Sequence, residues 1–209
     1  MAARNVAPTK TNLLSLRQEL SLAKQGYELL DQKRNILVIE LLSLVDQATD
    51  FESRVNAALA QAYRGLEESV LDSGRLQVLH LSSAVNIAAT IDLGSRKVMG
   101  VRLPVVNTSF SEHAPYFSPT GSSFWIDETV ESFKQVLSLV GRLAELKVSI
   151  MRLAREVRRT IRKVNALEKI AIPELDETVT LIQERLEESE RDMFVLMKLV
   201  KSRLEAKEQ

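Results

Sequence analysis

Six cations crowd one stretch of the chain, Arg152, Arg155, Arg158, Arg159, Arg162 and Lys163, offset only by Glu156. Residues 184–192, further on, are mostly acidic. Such a basic run can form a positive collar for acidic loops of a partner protein, or for nucleic acid. It can equally be a solvated helix face paired with carboxylates of a neighbouring helix. Nucleic-acid binding normally brings net basicity and interleaved aromatics. Here 28 Lys and Arg balance 28 Asp and Glu, so no nucleic-acid partner is expected. The only two histidines, His80 and His113, are not a pair at helical spacing, so a His-based zinc site has almost no material. With no cysteine there is neither a disulfide framework nor a thiolate metal site, which fits a reducing compartment. The sequence holds no phosphate loop, GxSxG, HExxH or dinucleotide fingerprint. Its many carboxylate pairs read as solvated helix faces. The expectation is therefore a non-catalytic chain with no cofactor and no metal.

The elements that would carry these charges are helices of unusual length. Leu13, Leu16, Leu20, Ala23, Tyr27, Leu30, Leu37, Leu41, Leu44, Ala48, Phe51, Val55, Ala58 and Ala62 follow steps of three and four, interrupted only by Arg34. Leu143, Leu146, Ile150, Leu153, Val157, Val164 and Leu167 repeat the pattern, with Thr160 as the polar exception. A period of about 3.5 residues keeps one narrow seam of a helix against a partner helix. Leu37, Leu41, Leu44, Ile150, Leu153 and Val157 are the expected centre of that seam. The predicted fold is mainly α: a long antiparallel two-helix coiled coil of the N- and C-terminal helices, with a short helix and β-hairpin inserted at one end. Its segments are residues 1–72, 73–126 and 127–209. Aromatics at 5% suit helix packing better than a large sheet core.

Thr9 or Thr11 is placed to cap the first helix after Pro8. Roughly 60 helical residues would reach ~90 Å, more than an ordinary domain uses, so something outside the chain must use the length. Gly26 and Gly65 inside this helix are either tolerated weak spots or sites of close packing. Asp72, Ser73 and Gly74 end it, and Leu76 to Val85 predicts a small helix. The period then becomes two, which predicts a hairpin with one apolar face. Its strands hold Val85 to Leu93 and Met99 to Val105, its turn is Gly94-Ser95-Arg96-Lys97, and Pro104 lies on an edge or at a strand end. Residues 107–126 carry most of the aromatics and read as a loop packed on the helices or contacting a partner. A second long helix is expected from Asp127 as N-cap to about Leu204. Pro173 should kink it, with a register slip where Leu167, Ala171 and Leu175 are spaced four and four. The N-terminus lacks an apolar signal core and no uncharged run spans a bilayer, so a soluble or peripheral intracellular protein is expected.

Three ordered motifs give these features a resemblance. Residues 8–37, PTKTNLLSLRQELSLAKQGYELLDQKRNIL, resemble the D subunit of the V-type and A-type rotary ATPases, with Lys24, Gly26, Leu29, Leu30, Lys33 and Arg34 on the family pattern. SRKVMGVRLPVV at 95–106 is similar to the family's hairpin strand, and residues 158–201 contain its VNALE followed by Ile-Pro. The resemblance covers nearly the whole chain. It departs in an Ala/Ser-rich stretch near the hairpin start and in the aromatic loop.

The resemblance implies a non-catalytic central stalk, a rotor shaft. Its terminal helices would enter a ring of catalytic and non-catalytic nucleotide-binding subunits. Its middle would lie towards the membrane, beside a small companion stalk subunit and a funnel-like subunit capping the membrane ring. It would sit peripherally on the cytoplasmic face, without membrane insertion, and transmit torque between ATP chemistry and proton or sodium translocation. Arg4, Lys10, Arg17, Lys24, Lys198, Lys201 and Arg203 would then meet acidic loops of the ring. Val98, Met99, Val101, Arg102 and Leu103 would meet the companion subunit or the helices. The alternative from another class is a free-standing antiparallel coiled-coil scaffold or tether with the hairpin as its docking tip.

Overall fold

The computed structural model describes residues 6–111, 116–118 and 122–205. Arg4, His113, Pro115, Pro119 and Gly121 lie outside them. In chain order the elements are α1 (Lys10–Ser73), α2 (Arg75–Ala84), β1 (Ala88–Val98), β2 (Val101–Ser111), α3 (Phe124–Ala166) and α4 (Ile172–Glu205), with a π-helical turn, Leu167–Ala171, joining the last two. The expected fold class is observed. A long N-terminal helix packs with long C-terminal helices, and a short helix and an antiparallel two-stranded hairpin stand between them in sequence.

Contacts divide the chain into two compact units, Met1–Asn35 with Arg158–Gln209, and Ile36–Val157. In the first, Leu16, Val179 and Ile182 are buried together, with Val6, Leu13, Leu175 and Leu186 packed against them. In the second, Leu37, Leu44, Ala48, Leu103, Leu146, Leu153 and Val157 form the core, flanked by Leu41, Phe51 and Ile150. Pairing runs antiparallel within each. Lys10 meets Glu190 and Arg17 meets Gln183 in one; Glu52 meets Lys147 and Tyr63 meets Phe133 edge-on in the other. No apolar member of the first heptad series is exposed.

Local chemistry sets the ends of α1. Of the two candidate caps, Thr9 does the work: its Oγ1 accepts the Asn12 N–H at 3.3 Å, while Asn12 Nδ2 donates to the Ala7 carbonyl at 2.8 Å. At the other end Gly74 has φ of 82°, a left-handed backbone that lets the chain leave α1 and start α2 at once. α3 begins three residues before the expected Asp127, which lies in its first turn, where a carboxylate suits the positive end of the helix dipole.

The hairpin corrects the expected turn. Gly94-Ser95-Arg96-Lys97 is not a turn: Gly94 pairs with Val105, and the ladder continues to Val98 opposite Val101. The reversal is made by Met99 and Gly100, with φ of 46° and 84°. Two consecutive positive φ values match the right-handed twist of the flanking strands, the usual two-residue solution. Pro104 does not end its strand; with only two strands every residue borders an edge, so a missing N–H is tolerated. Nor does the apolar face extend over both strands. Leu103 on β2 is fully buried, whereas Ile91 and Leu93 on β1 are 59% and 76% exposed. In the 107–126 stretch, residues 107–111 continue β2, and Phe124 and Trp125 open α3, both exposed.

The slip near Pro173 has a definite geometry. The Ile172 N–H donates to the Leu167 carbonyl, five residues back. A π turn holds one more residue than an α turn, and the apolar series is displaced by one residue there, so Leu175, Val179 and Ile182 return to the packed face. Widening the helix just before Pro173 also eases the clash that its ring would make with the preceding turn.

The glycines separate by their surroundings. A Cβ on Gly26 would meet nothing within 4 Å, one on Gly65 would lie 3.0 Å from Thr129 Oγ1, and one on Gly141 would lie 2.6 Å from Thr108 Oγ1. Gly26 is thus the weak spot and Gly65 the close approach. Gly26→Ala should stabilise the chain by about 0.5–1 kcal/mol. Gly141→Ala should destabilise it by about 1–3 kcal/mol through overpacking, with recovery when Thr108→Ala is added. Urea unfolding of the three variants tests this; a neutral Gly141→Ala would contradict the close approach.

Candidate functional site

Among the described residues no cluster of His, Cys, Asp or Glu suits a metal ion, and no helix is long and apolar enough to cross a membrane. The chemistry on offer is that of surfaces. Three stand out: the end of the first unit, and the hairpin and the α2 end of the second.

At the first, Lys10 Nζ lies 2.8 Å from Glu190 Oε1, with both side chains largely exposed. The hydrogen bond to Glu190, and then its charge, hold the Lys10 ammonium above its ordinary pKa. A raised lysine pKa stabilises below the ordinary value and fades as pH climbs through the folded one, so this pair is intact throughout the neutral range. Arg17 Nη2 donates to Gln183 Oε1 at 2.7 Å. Lys10 and Arg17 therefore tie α1 to α4, while Lys24, Lys198, Lys201 and Arg203 stand exposed.

Beyond Glu190, α4 is exposed at every described position. Met193, Phe194, Val195, Leu196, Met197, Leu199 and Val200 are each more than half exposed. With Lys198 the single charge among eight residues, this stretch is apolar on every side of the helix. Leu186 is the last apolar residue of α4 packed on α1. A helix that is apolar all round is one that something surrounds. A heptad series continued along α4 passes through Met193, Leu196 and Val200 but not through Phe194, Val195, Met197 and Leu199, which lie off the seam.

At the second surface the structure divides the expected contact residues. Leu103 is buried in the helical core, and Val98 and Val101 pack against it. Met99 is 46% exposed at the turn, and the Arg102 side chain is exposed. The Arg102 carbonyl accepts Arg152 Nη1 at 2.9 Å, which accounts for one member of the basic run. A further anchor escaped sequence reasoning. Glu145, only 4% exposed, accepts the Val106 N–H at 2.9 Å through Oε2 and Arg142 Nη1 at 2.6 Å through Oε1. The one available signal was the small and polar spacing Gly141, Glu145, Ser149 on α3, the strip of helix over which β2 can lie close.

The third surface is an apolar hollow of about 270 Å³, walled by Leu66, Val78, Val85, Ile126, Phe133 and Leu137. Ser69 Oγ and Thr129 Oγ1 form a buried pair at 3.1 Å on its wall, and Thr129 also donates to the Trp125 carbonyl. Its polar groups are thus satisfied locally. α2 has no buried residue.

Glu145→Ala should destabilise the chain by about 1–3 kcal/mol, because the part-buried Val106 N–H loses its acceptor. Glu145→Gln, which keeps an oxygen there, should recover part of the loss. Denaturant titration reads both, and equal stabilities for the two variants would refute the anchoring role.

Against known proteins, the family model for the ATP synthase D subunit matches residues 12–202. The A-type ATP synthase D subunit of Thermococcus kodakarensis is 37% identical over 206 residues, covering 97% of this chain and 96% of its own. That of Desulfurococcus sp. shares the same identity and coverage. The V-type ATP synthase D subunit of Thermotoga neapolitana is 35% identical over 203 residues, covering 96% of this chain and 98% of its own.

Proposed function

We propose, since this chain belongs to the ATP synthase D-subunit family, that it is the central stalk of a rotary ATPase and carries torque between nucleotide chemistry and ion movement. Its terminal helices enter the ring of catalytic and non-catalytic nucleotide-binding subunits. Its hairpin end faces the membrane, beside a companion stalk subunit and the funnel-like subunit of the membrane ring. The complex moves protons or sodium ions, and this subunit sits peripherally on the cytoplasmic face and performs no bond chemistry itself. Exposed Lys24, Lys198, Lys201 and Arg203 meet acidic loops of the ring, as do Lys10 and Arg17; Arg4, outside the described residues, is a further candidate for the same loops. Met99 and Arg102 are the hairpin residues left for the companion subunit.

The observation that carries this reading is the all-round apolar end of α4. A tether docking one face would need one apolar stripe. An end apolar on every side needs an enclosing wall, which a ring of subunits supplies. Stiffness follows from the seam, where Leu37 and Leu153 are fully buried.

Replacing Met193, Leu196 and Val200 together by Ser tests it. These side chains are more than half exposed, so the fold should hold to within about 0.5 kcal/mol. Co-purification with the nucleotide-binding subunits should fall sharply, and ATP-driven ion pumping with it. Wild-type assembly and pumping by the triple variant would refute insertion.

A further inference from the structure

The basic run of α3 ends in four cations for which the fold supplies no counter-charge. Residues 157–167 contain no acidic side chain, and Glu156, three residues before Arg159, is the single carboxylate within a turn of Arg158, Arg159, Arg162 or Lys163. All four are exposed. None takes part in the ion pairs or side-chain hydrogen bonds among the described residues. Elsewhere Lys10, Arg34, Arg142 and Arg191 each sit beside a carboxylate. At 3.6 residues per turn the four fall within an arc of about 140°. That arc lies roughly opposite Thr160 and Val164, which are buried. The face therefore points away from the packed side of α3, and pairing with carboxylates of the neighbouring helix does not occur. Arg158 with Arg162, and Arg159 with Lys163, are like charges four residues apart, an arrangement that weakens a helix.

We propose that Arg158, Arg159, Arg162 and Lys163 form a docking face for an acidic segment of a neighbouring protein subunit. Three of the four are arginines, whose planar forks bind carboxylates in bidentate fashion and give up hydration more readily than lysine. The face carries no aromatic side chain on which bases could stack, and the chain has no net charge, so nucleic acid fits it less well. Taking the neighbour to be a member of the ATPase complex rests on the function proposed above.

The test is assembly of the full-length chain with the other soluble subunits of its complex, followed from low to high salt. Changing all four residues to Gln should weaken assembly roughly tenfold at low salt, flatten its salt dependence and converge on wild type at high salt. The Gln variant should melt no lower than wild type, because like-charge contacts are removed. R158K/R159K/R162K, which keeps the charge, should retain most of the binding. Unchanged affinity and salt dependence in the Gln variant overturn the docking face, as does a loss equal at every salt concentration. So does a Gln variant that assembles normally but no longer binds duplex RNA that the wild type binds. The two readings fail separately: the serine variant at Met193, Leu196 and Val200 changes apolar burial, and leaves the salt dependence set by the four cations in place. A wild-type chain that binds none of those subunits overturns both.

Discussion

A strip of apolar side chains two residues wide per heptad carries the fold. With so few aromatics and no large sheet, the chain has no broad core to fall back on, and each seam residue supports its own short length of helix. Leu37, Leu146 and Leu153 are 2% exposed or less, and truncating such residues to alanine typically costs about 2–5 kcal/mol. Because the strip is narrow, most of each helix surface is left to solvent or to other chains. That partition explains why so many large apolar residues are exposed while the seam is covered from Leu13 to Ala62 and from Leu143 to Leu186. The exposed ones are surface that the chain does not use for itself.

The hairpin depends on the same strip, since Leu103 completes the cluster formed by Leu37, Leu44, Leu146 and Leu153. A two-stranded ribbon alone is marginal in water. Here it is secured by one buried leucine, the Glu145 carboxylate under Val106, the Arg152 hydrogen bond to Arg102, and the space left by Gly141. Polar and packing contacts thus alternate along β2, and β1 is carried by the ladder. This explains how Ile91 and Leu93 can be apolar and still face water.

How much of this was legible follows from the distance over which each feature is determined. The seam is periodic in one dimension, so Leu13 through Ala62 could be read directly, as could the slip at Leu167, Ala171 and Leu175. That the slip is a π turn needed the Ile172 hydrogen bond. The turn was misplaced because Gly94 to Lys97 has turn composition, whereas the register is set by which residue fills the core, and that residue is Leu103. Gly141 and Glu145 act on Thr108 and Val106, more than thirty residues earlier, and no local pattern announces such a pairing. At the terminal surface the cations were legible by type, but the partners of Lys10 and Arg17 lie across the helix pair. The all-round apolar stretch was present in MFVLMKLV and was obscured by the search for a single face.

That stretch has a mechanical consequence. The transfer free energy of an apolar surface depends on its area and carries no direction. A helix end clad evenly in Met, Phe, Val and Leu therefore gains the same burial at every azimuth within an apolar wall. Such a wall would resist withdrawal along the axis while offering no angular detent. Within such a wall the end of α4 would behave like a greased journal, held in place by water and free to spin but for the charge of Lys198.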